Sequence, residues 1–295
     1  MPCTNPIIAF YPIKPDKNGN HKIMFTKKEG IEKIPLKIPC GNCISCRLYR
    51  AHEWAMRCVL EASLYKHNSF VTLTYSPENL PENGTLVKKH VQQFLKNLRQ
   101  IYAPQIIRFY LSGEYGEKLG RPHYHVLLFN LEFEDKEYLR TENGNKYYRS
   151  KTLERAWKKG FSDISEVTYN SAKYVAKYIM KKQNGEAGKT HYQIIDQETG
   201  EITGHLLPEF SQQSLKPGIG KDWFMKNYTW VTREDEIRIE GKSRKIPKYF
   251  LRVLRKLEPE KYDEILKTRR RNRAEIEPEY ACLNREIIEN EMRKT

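Results

Sequence analysis

Two histidines one residue apart open the apolar run Arg121-Pro122-His123-Tyr124-His125-Val126-Leu127-Leu128-Phe129. Val, Leu and Phe entered through a Gly/Pro turn predict a β-strand. Residues two apart on a strand share a face, so the two imidazoles stand side by side. Upstream, residues 106–112 predict a second strand that runs on into Gly113-Glu114, and 115–122, with Gly116, Gly120 and Pro122, suit a hairpin loop. An antiparallel register that sets Glu114 opposite His123 brings the carboxylate onto the face of both imidazoles. Two nitrogens and one oxygen, with positions left open, suit Mg²⁺ or Mn²⁺ holding a phosphate, and also suit Zn²⁺. A single histidine is more often a surface or hydrogen-bonded core residue; the facing Glu is what turns the pair toward metal.

A third element follows at residues 170–182, where Ala, Lys and Met favour helix and Asn170 or Ser171 can cap its start. Tyr174 and Tyr178, four apart, then share one helix face, with Lys173 and Lys177 as a neighbouring pair. Phenols flanked by ammonium groups and near a metal can act as nucleophiles, because both charges favour the phenolate. Read by itself, the segment is more simply an amphipathic helix packing its tyrosines on a sheet, and the tyrosine spacing becomes informative only beside the histidine pair.

The elements that must position these groups also follow from the sequence. Residues 70–75, Phe-Val-Thr-Leu-Thr-Tyr, predict a strand beside the hairpin; residues 88–102 predict a helix with Val91, Phe94, Leu95 and Leu98 inward. Residues 152–159 predict a short helix around Trp157, and 161–167 a further strand. The order β-α-β-β-α-β followed by the tyrosine helix predicts an α+β, ferredoxin-like or RRM-like antiparallel sheet. Its open face would carry the metal, with the tyrosine helix laid across it. Tyr124 would point to the opposite face in a structural role.

Taken together, these residues resemble the HUH endonuclease superfamily and, within it, the rolling-circle replication initiators of microviruses, most closely the gokushovirus type. The matching pieces are residues 70–75, Gly113-Glu114-Tyr115-Gly116 with His123-Tyr124-His125, and Tyr174-Val175-Ala176-Lys177-Tyr178, in the family's order across residues 70–182. The resemblance implies a metal-dependent DNA nickase: Glu114, His123 and His125 hold Mg²⁺ or Mn²⁺, and Tyr174 or Tyr178 attacks the scissile phosphate of origin DNA. A 5′-phosphotyrosine and a free 3′-hydroxyl that primes synthesis would result, with no need for ATP. Lys177 is the candidate helper that lowers the phenol pKa or contacts phosphate. The implied partners are single-stranded or replicative-form origin DNA and a host DNA polymerase, in a host bacterial cytoplasm. No P-loop pattern occurs, so unwinding would need a host helicase.

The bulk properties agree with a polyanionic partner. The chain of 295 residues carries 52 Lys and Arg against 37 Asp and Glu, a formal charge of +15. No apolar run approaches the length of a spanning helix and no signal-peptide core opens the sequence, so a soluble, cytoplasmic protein without membrane partners is expected. Cys40-Gly41-Asn42-Cys43-Ile44-Ser45-Cys46 packs three of the six cysteines into seven residues. With Cys3 as fourth ligand the set fits a structural Zn²⁺, and reduced thiols in a loop are the alternative. Cys58 reads as a helix residue, and Cys282 stands alone. Residues 47–65 predict an amphipathic helix with Arg47, Arg50 and Arg57 on or near its exposed side.

Beyond the tyrosine helix, 183–206 predict an insertion or hairpin, 211–220 a shaped loop, and 244–257 a basic stretch with interleaved aromatics. Lys173, Arg121, Arg244, Lys245, Lys248 and Tyr249 are the candidate DNA contacts, through phosphate pairing and base stacking. A charged, helical tail completes three expected regions: 1–66, a Cys-rich segment and helix; 67–183, the endonuclease core; and 184–295, an insertion and basic C-terminal extension. Rival readings are a relaxase or transposase of the same superfamily, a non-catalytic single-stranded DNA-binding module, and a zinc-dependent hydrolase, which would leave the tyrosine pair unexplained.

Overall fold

Strand-forming and helix-forming patterns alternate from residue 68 to residue 177, and most segments become the element their pattern dictates. The computed structural model describes residues 3–12, 23–26, 33–117, 119–177, 182, 186–196, 198–269 and 271. The chain divides into two compact units, one within residues 1–50 and one at Ala51–Arg269. The first contains the antiparallel pair β1 (Ile7–Pro12) and β2 (Lys33–Ile38). Helix α1 (Ile44–Ala62) follows.

The second unit is built on β3 (Asn68–Tyr75), α2 (Lys88–Ile101), β4 (Arg108–Tyr115), β5 (Pro122–Phe129), β6 (Glu137–Glu142), β7 (Asn145–Arg149), α3 (Lys151–Trp157) and β8 (Gly160–Ser165). Then come α4 (Tyr169–Lys177), α5 (Glu186–His191), β9 (Gln193–Ile195), β10 (Ile202–His205) and β11 (Phe210–Gln213). The last elements are α6 (Lys221–Glu234), β12 (Glu236–Ile239), β13 (Lys242–Lys245) and α7 (Lys248–Leu257), after which 259–269 are helical. Seven strands form one antiparallel sheet in the order β11-β4-β5-β3-β8-β7-β6. Its middle, β4-β5-β3-β8 with α2 and α3 as crossovers, is the expected ferredoxin-like arrangement. The β6–β7 hairpin, inserted between β5 and α3, extends one edge, and β11 extends the other.

Alternation along the strands sorts side chains to two faces. Val71, Leu73, Tyr75, Tyr124, Val126 and Leu128 bury themselves under α2 and α3, against Phe94, Leu98 and Trp157. Complete burial of such an apolar side chain stabilises by about 1.5–3 kcal/mol. On the opposite face Phe70, Tyr110, Leu127 and Phe129 pack under α1, α4, α6 and α7, through Ala55, Val175, Phe224 and Phe250. The second face is therefore not open throughout: its apolar end is roofed, and its polar end holds the histidines.

Some local expectations change in detail. Residues 210–213, which overlap the start of the loop expected at 211–220, pair instead with the β4 edge, Phe210 opposite Gly113. The loop that follows is held by buried charge: Arg57 Nε donates to the Ile219 carbonyl (3.0 Å), Glu61 accepts from Gly220 N–H (2.6 Å), and Arg108 donates to the Pro217 carbonyl (2.7 Å). Arg108 and Glu61 also pair with each other. Arg57, expected on the exposed side of its helix, is buried between the Trp54 and Tyr249 rings, 4.0 and 3.9 Å from their centroids. Two aromatic faces and a carbonyl replace water around its guanidinium. Arg47 and Arg50 cap local carbonyls, those of Asn42 (2.6 Å) and Gly41 (3.3 Å). Cys58 is a buried helix residue as expected; Cys282 lies outside the described residues.

Candidate active site

The register between β4 and β5 places Glu114 opposite His123, with Ser112 opposite His125. Glu114 and both imidazoles therefore share the face that meets α4. Glu114 and His125 are buried and in contact, His125 Nε2 to Glu114 Oε1 at 2.7 Å. Thr72, the β3 partner of His125, meets its other ring nitrogen at 3.3 Å. A ring nitrogen fixed this way sets the tautomer and aim of the other, as outer-shell partners of ligating histidines do.

His123 stands further out. Its ring centroid is 6.3 Å from that of His125, and its buried Nδ1 has no hydrogen-bond partner among the described residues. Burial, then the neighbouring His125, holds the His123 pKa below the ordinary histidine value, so the neutral, ligating form is favoured. Gly116 makes room for the ring: a Cβ there would lie 2.8 Å from His123 Nε2. Two nitrogens and a carboxylate, one nitrogen orphaned and another bridged to the carboxylate, fit a divalent cation with substrate positions left open. Among the described residues these three do not bring one ligand atom each within 4.8 Å of the others, as the four cysteines do. Because Glu114 and His125 touch, His123 is the member that would have to close in.

Helix α4 delivers Tyr174. Its start is capped by Thr168 rather than by Asn170 or Ser171: Thr168 Oγ1 accepts from Ser171 N–H (3.1 Å) and Ser171 Oγ accepts from Thr168 N–H (2.8 Å). This reciprocal pair is a capping box with Ser in the third position. Ala172, Val175 and Ala176 are buried, whereas Tyr174 is 46% exposed. Its ring meets that of His125 edge-on at 5.2 Å and Phe70 at 6.4 Å. One phenol thus stands beside a ligand candidate with its surface open to a substrate. Lys177 occupies the last turn of α4, half-buried, three residues from Tyr174 and so on a neighbouring strip of the helix. Tyr178 lies outside the described residues.

Tyr124, between the two histidines, points to the other face. Its hydroxyl is 2.9 Å from that of Tyr75 and accepts from Val87 N–H (2.8 Å), and Tyr75 reaches His90 Nδ1 (2.8 Å). This buried chain fixes β5 from behind.

The candidate DNA contacts are only partly brought to the site. Arg121 reaches from the hairpin to the Tyr75 carbonyl at 2.8 Å, and Lys173 is in α4. Arg244 is turned inward: its guanidinium lies 4.1 Å from the Tyr169 ring centroid, donates to the Tyr169 hydroxyl (3.1 Å) and borders His52. Tyr249 packs beneath Arg57, and Gly218 is required beside it, since a Cβ there would meet its hydroxyl at 2.2 Å. Lys245 pairs with Glu236 (3.4 Å) and Asp235 (3.8 Å) in the β12–β13 hairpin, and Lys248 opens α7. Thr72 and Gly116 were not among the sequence candidates. The signal for both is register, which places Thr72 beside His125 and turns Gly116 toward His123.

The four predicted cysteines do converge. Cys3, Cys40, Cys43 and Cys46 bring their sulfurs within 4.8 Å of one another. Cys3 Sγ lies 3.5 Å from Cys40 Sγ and 3.7 Å from Cys43 Sγ. Tetrahedral zinc with Zn–S bonds of about 2.3 Å requires sulfurs about 3.8 Å apart, so the cluster can hold a metal such as zinc. Burial raises the Cys43 thiol, but hydrogen bonds from Thr4 and Cys46 outweigh it and bring it down to about 5. Burial pushes Cys46 up to about 12.

Residues 68–183 match the family model described as Replication-associated protein ORF2/G2P. Over 247 residues the chain is 38% identical to replication-associated protein ORF2 of Spiroplasma virus 4, covering 79% of this chain and 72% of the relative. Over 279 residues it is 32% identical to replication-associated protein VP4 of Bdellovibrio phage phiMH2K, covering 90% and 84%. Replication-associated protein ORF4 of Chlamydia phage 1 is 29% identical over 250 residues, covering 82% and 57%. No solved structure matches the chain. No described helix is long and apolar enough to cross a membrane.

Proposed function

The chain belongs to the replication-associated protein family of phages, and from that premise we propose that it initiates rolling-circle replication by nicking origin DNA through tyrosine transesterification. The observation that carries this reading is the exposed Tyr174 ring beside His125, in a face that also holds Glu114 and His123. In this reading the protein is an HUH endonuclease of the microvirus initiators, gokushovirus type, working in the host bacterial cytoplasm.

Glu114, His123 and His125 would hold Mg²⁺ or Mn²⁺. Such an ion, when bound, neutralises the scissile phosphate and the negative charge that grows on it. The chain's own residues do the rest. Thr72 keeps the His125 ring aimed at Glu114, and the packed face of α4 fixes the Tyr174 phenol at the site, which removes much of the orientational cost of attack. The Tyr174 oxygen forms a bond to phosphorus as the bond from phosphorus to the 3′ oxygen breaks. The phenol loses its proton and the leaving oxygen gains one, giving a 5′-phosphotyrosine and a 3′-hydroxyl. The phosphoester bond is conserved in the adduct, so rejoining needs no ATP. Tyr178, four residues on, is the second nucleophile for the closing cut, with Lys177 assisting either phenol. A host polymerase extends the 3′-hydroxyl, and a host helicase unwinds the duplex.

End-labelled single-stranded origin DNA, incubated with Mn²⁺ and run on a denaturing gel, tests the mechanism in wild type, Tyr174→Phe, Tyr178→Phe and the double variant. A metal-dependent covalent adduct that the double variant lacks is expected. Nicking that persists in the double variant without an adduct would make water the nucleophile and the protein a hydrolase. Absence of nicking on any origin strand would favour a DNA-binding module.

A further inference from the structure

The sheet register aligns side chains in rows across four strands of the site face. One row runs Phe161, Thr74, His123, Glu114, and the next runs Asp163, Thr72, His125, Ser112. The third row, with Phe70, Leu127 and Tyr110, belongs to the roofed core. The rows that carry the ligand candidates therefore continue sideways across β3 onto β8, and there no described helix covers Phe161, which is 67% exposed.

At this place a cleft of about 480 Å³ opens, lined by Thr72, Thr74, Phe161 and Asp163, with Arg140 and Arg149 from the β6–β7 hairpin. It exists because β7 pairs with β8 at Tyr148 and Ile164, leaving the Gly160 end of β8 unpaired on that side. Its volume falls in the range of small-molecule sites, about 300–1,000 Å³. Arg140 bonds Asp163 at 3.2 Å and Glu142 at 3.3 Å and lies 4.4 Å from the Tyr147 ring centroid, and Arg149 pairs with Glu137 at 2.9 Å, so a phosphate would take the place of surface carboxylates at both guanidinium groups. An exposed aromatic ring, hydroxyls and the carboxylates of Asp163 and Glu154 along the walls, and two guanidinium groups at the rim, match the three parts of an unpaired nucleotide: its π-face, its base edge and its phosphate. The floor is continuous with the ligand set, since Thr72 lines the cleft and bonds His125.

We infer that this cleft binds one unpaired nucleotide of the DNA strand presented to Glu114, His123 and His125, with its base stacked on Phe161 and its phosphate at Arg140 and Arg149. The inference rests on the nicking reading, and it adds a subsite that holds the strand on the β8 side of the reacting phosphate. An exposed ring on a rigid sheet suits this role because stacking tolerates any base while fixing the position of the strand. Asp163 and the two threonines are the groups placed to read the base edge.

The test is fluorescence anisotropy of a labelled oligo-dT strand with the full chain, without added divalent metal so that no cutting intervenes. Wild type, Phe161→Ala and Phe161→Tyr are compared, with circular dichroism melts and sedimentation of each. Phe161→Ala is expected to bind about tenfold more weakly at an unchanged melting temperature, and Phe161→Tyr to bind within about twofold of wild type. Equal binding by wild type and Phe161→Ala overturns the subsite and leaves the nicking reading intact. A wild type that binds no single strand even at low salt removes both. Self-association of wild type that Phe161→Ala abolishes, with DNA binding unchanged, assigns the face to a second copy of the chain and overturns the inference.

Discussion

The two candidate metal sets in this chain are built by opposite means. The cysteine set takes one ligand from residue 3 and three from residues 40–46 of a small two-stranded unit, yet its four sulfurs already stand within 4.8 Å of each other. The Glu114, His123 and His125 set lies in the middle of a seven-stranded sheet whose register fixes every backbone, yet His123 stands apart from the other two. Four protein ligands of one soft type complete a tetrahedron and leave no place for substrate. Three mixed ligands leave positions open, which is what a catalytic ion needs. Closure and openness are thus set by donor number and type, not by how rigid the surrounding fold is.

Crossed substitutions separate the two sets. His125→Ala removes the ligand candidate that bridges Glu114 and Tyr174, and it should lower Mn²⁺-dependent nicking by about 10²–10³-fold or more while leaving bound zinc unchanged. Cys43→Ser should do the reverse: about one equivalent of zinc lost by elemental analysis, early proteolysis within residues 1–50, and Mn²⁺ affinity retained. If either variant moves both readouts, the sets are not independent and the comparison fails.

A smaller change sharpens the open set. Gly116→Ala places a methyl group 2.8 Å from His123 Nε2, and the imidazole must turn to accept it. Mn²⁺ affinity, read by electron paramagnetic resonance titration, should weaken about tenfold, with little change in melting temperature. An unchanged affinity would count against His123 as a ligand, since its ring would have turned without effect on the ion.

What the sequence made legible follows from how local each signal is. The strand at 122–129, the facing of Glu114 and His123, the inward residues of α2 and the structural role of Tyr124 are all read from period-two or helical spacing over a few residues. Arg57 was misplaced because helical periodicity reports neighbours along the chain, while its partner is the Ile219 carbonyl, 162 residues away. The β11 pairing with β4 was hidden for the same reason: Phe210-Ser211-Gln212-Gln213 has no apolar alternation to announce a strand and becomes one because an edge is available. The inward turn of Arg244 depends on Tyr169 and His52, which no spacing rule links to it. Thr168-x-x-Ser171 was a readable cap, overlooked because the capping residue lies one step before the first helical residue.

His52 supplies the control for the two candidate histidine ligands, being a partly buried imidazole beside the cations Arg244 and Lys173. Burial first, then Arg244 and Lys173, lower its pKa to about 4, against an ordinary value of 6.5. Below pH 6.5 the unfolded chain takes up a proton at this position that the folded chain refuses until about pH 4. The unfolded state then binds more protons, so stability conferred by neutral His52 is complete above about pH 6.5 and declines as pH falls toward 4. His52→Asn keeps an oxygen or nitrogen near the Tyr169 hydroxyl and removes the titration. The melting temperature of wild type should therefore drop more between pH 7 and pH 5 than that of His52→Asn, by about 2 °C. Parallel pH profiles for the two proteins would show that water reaches His52 freely, and that burial among cations does not distinguish it from an exposed histidine.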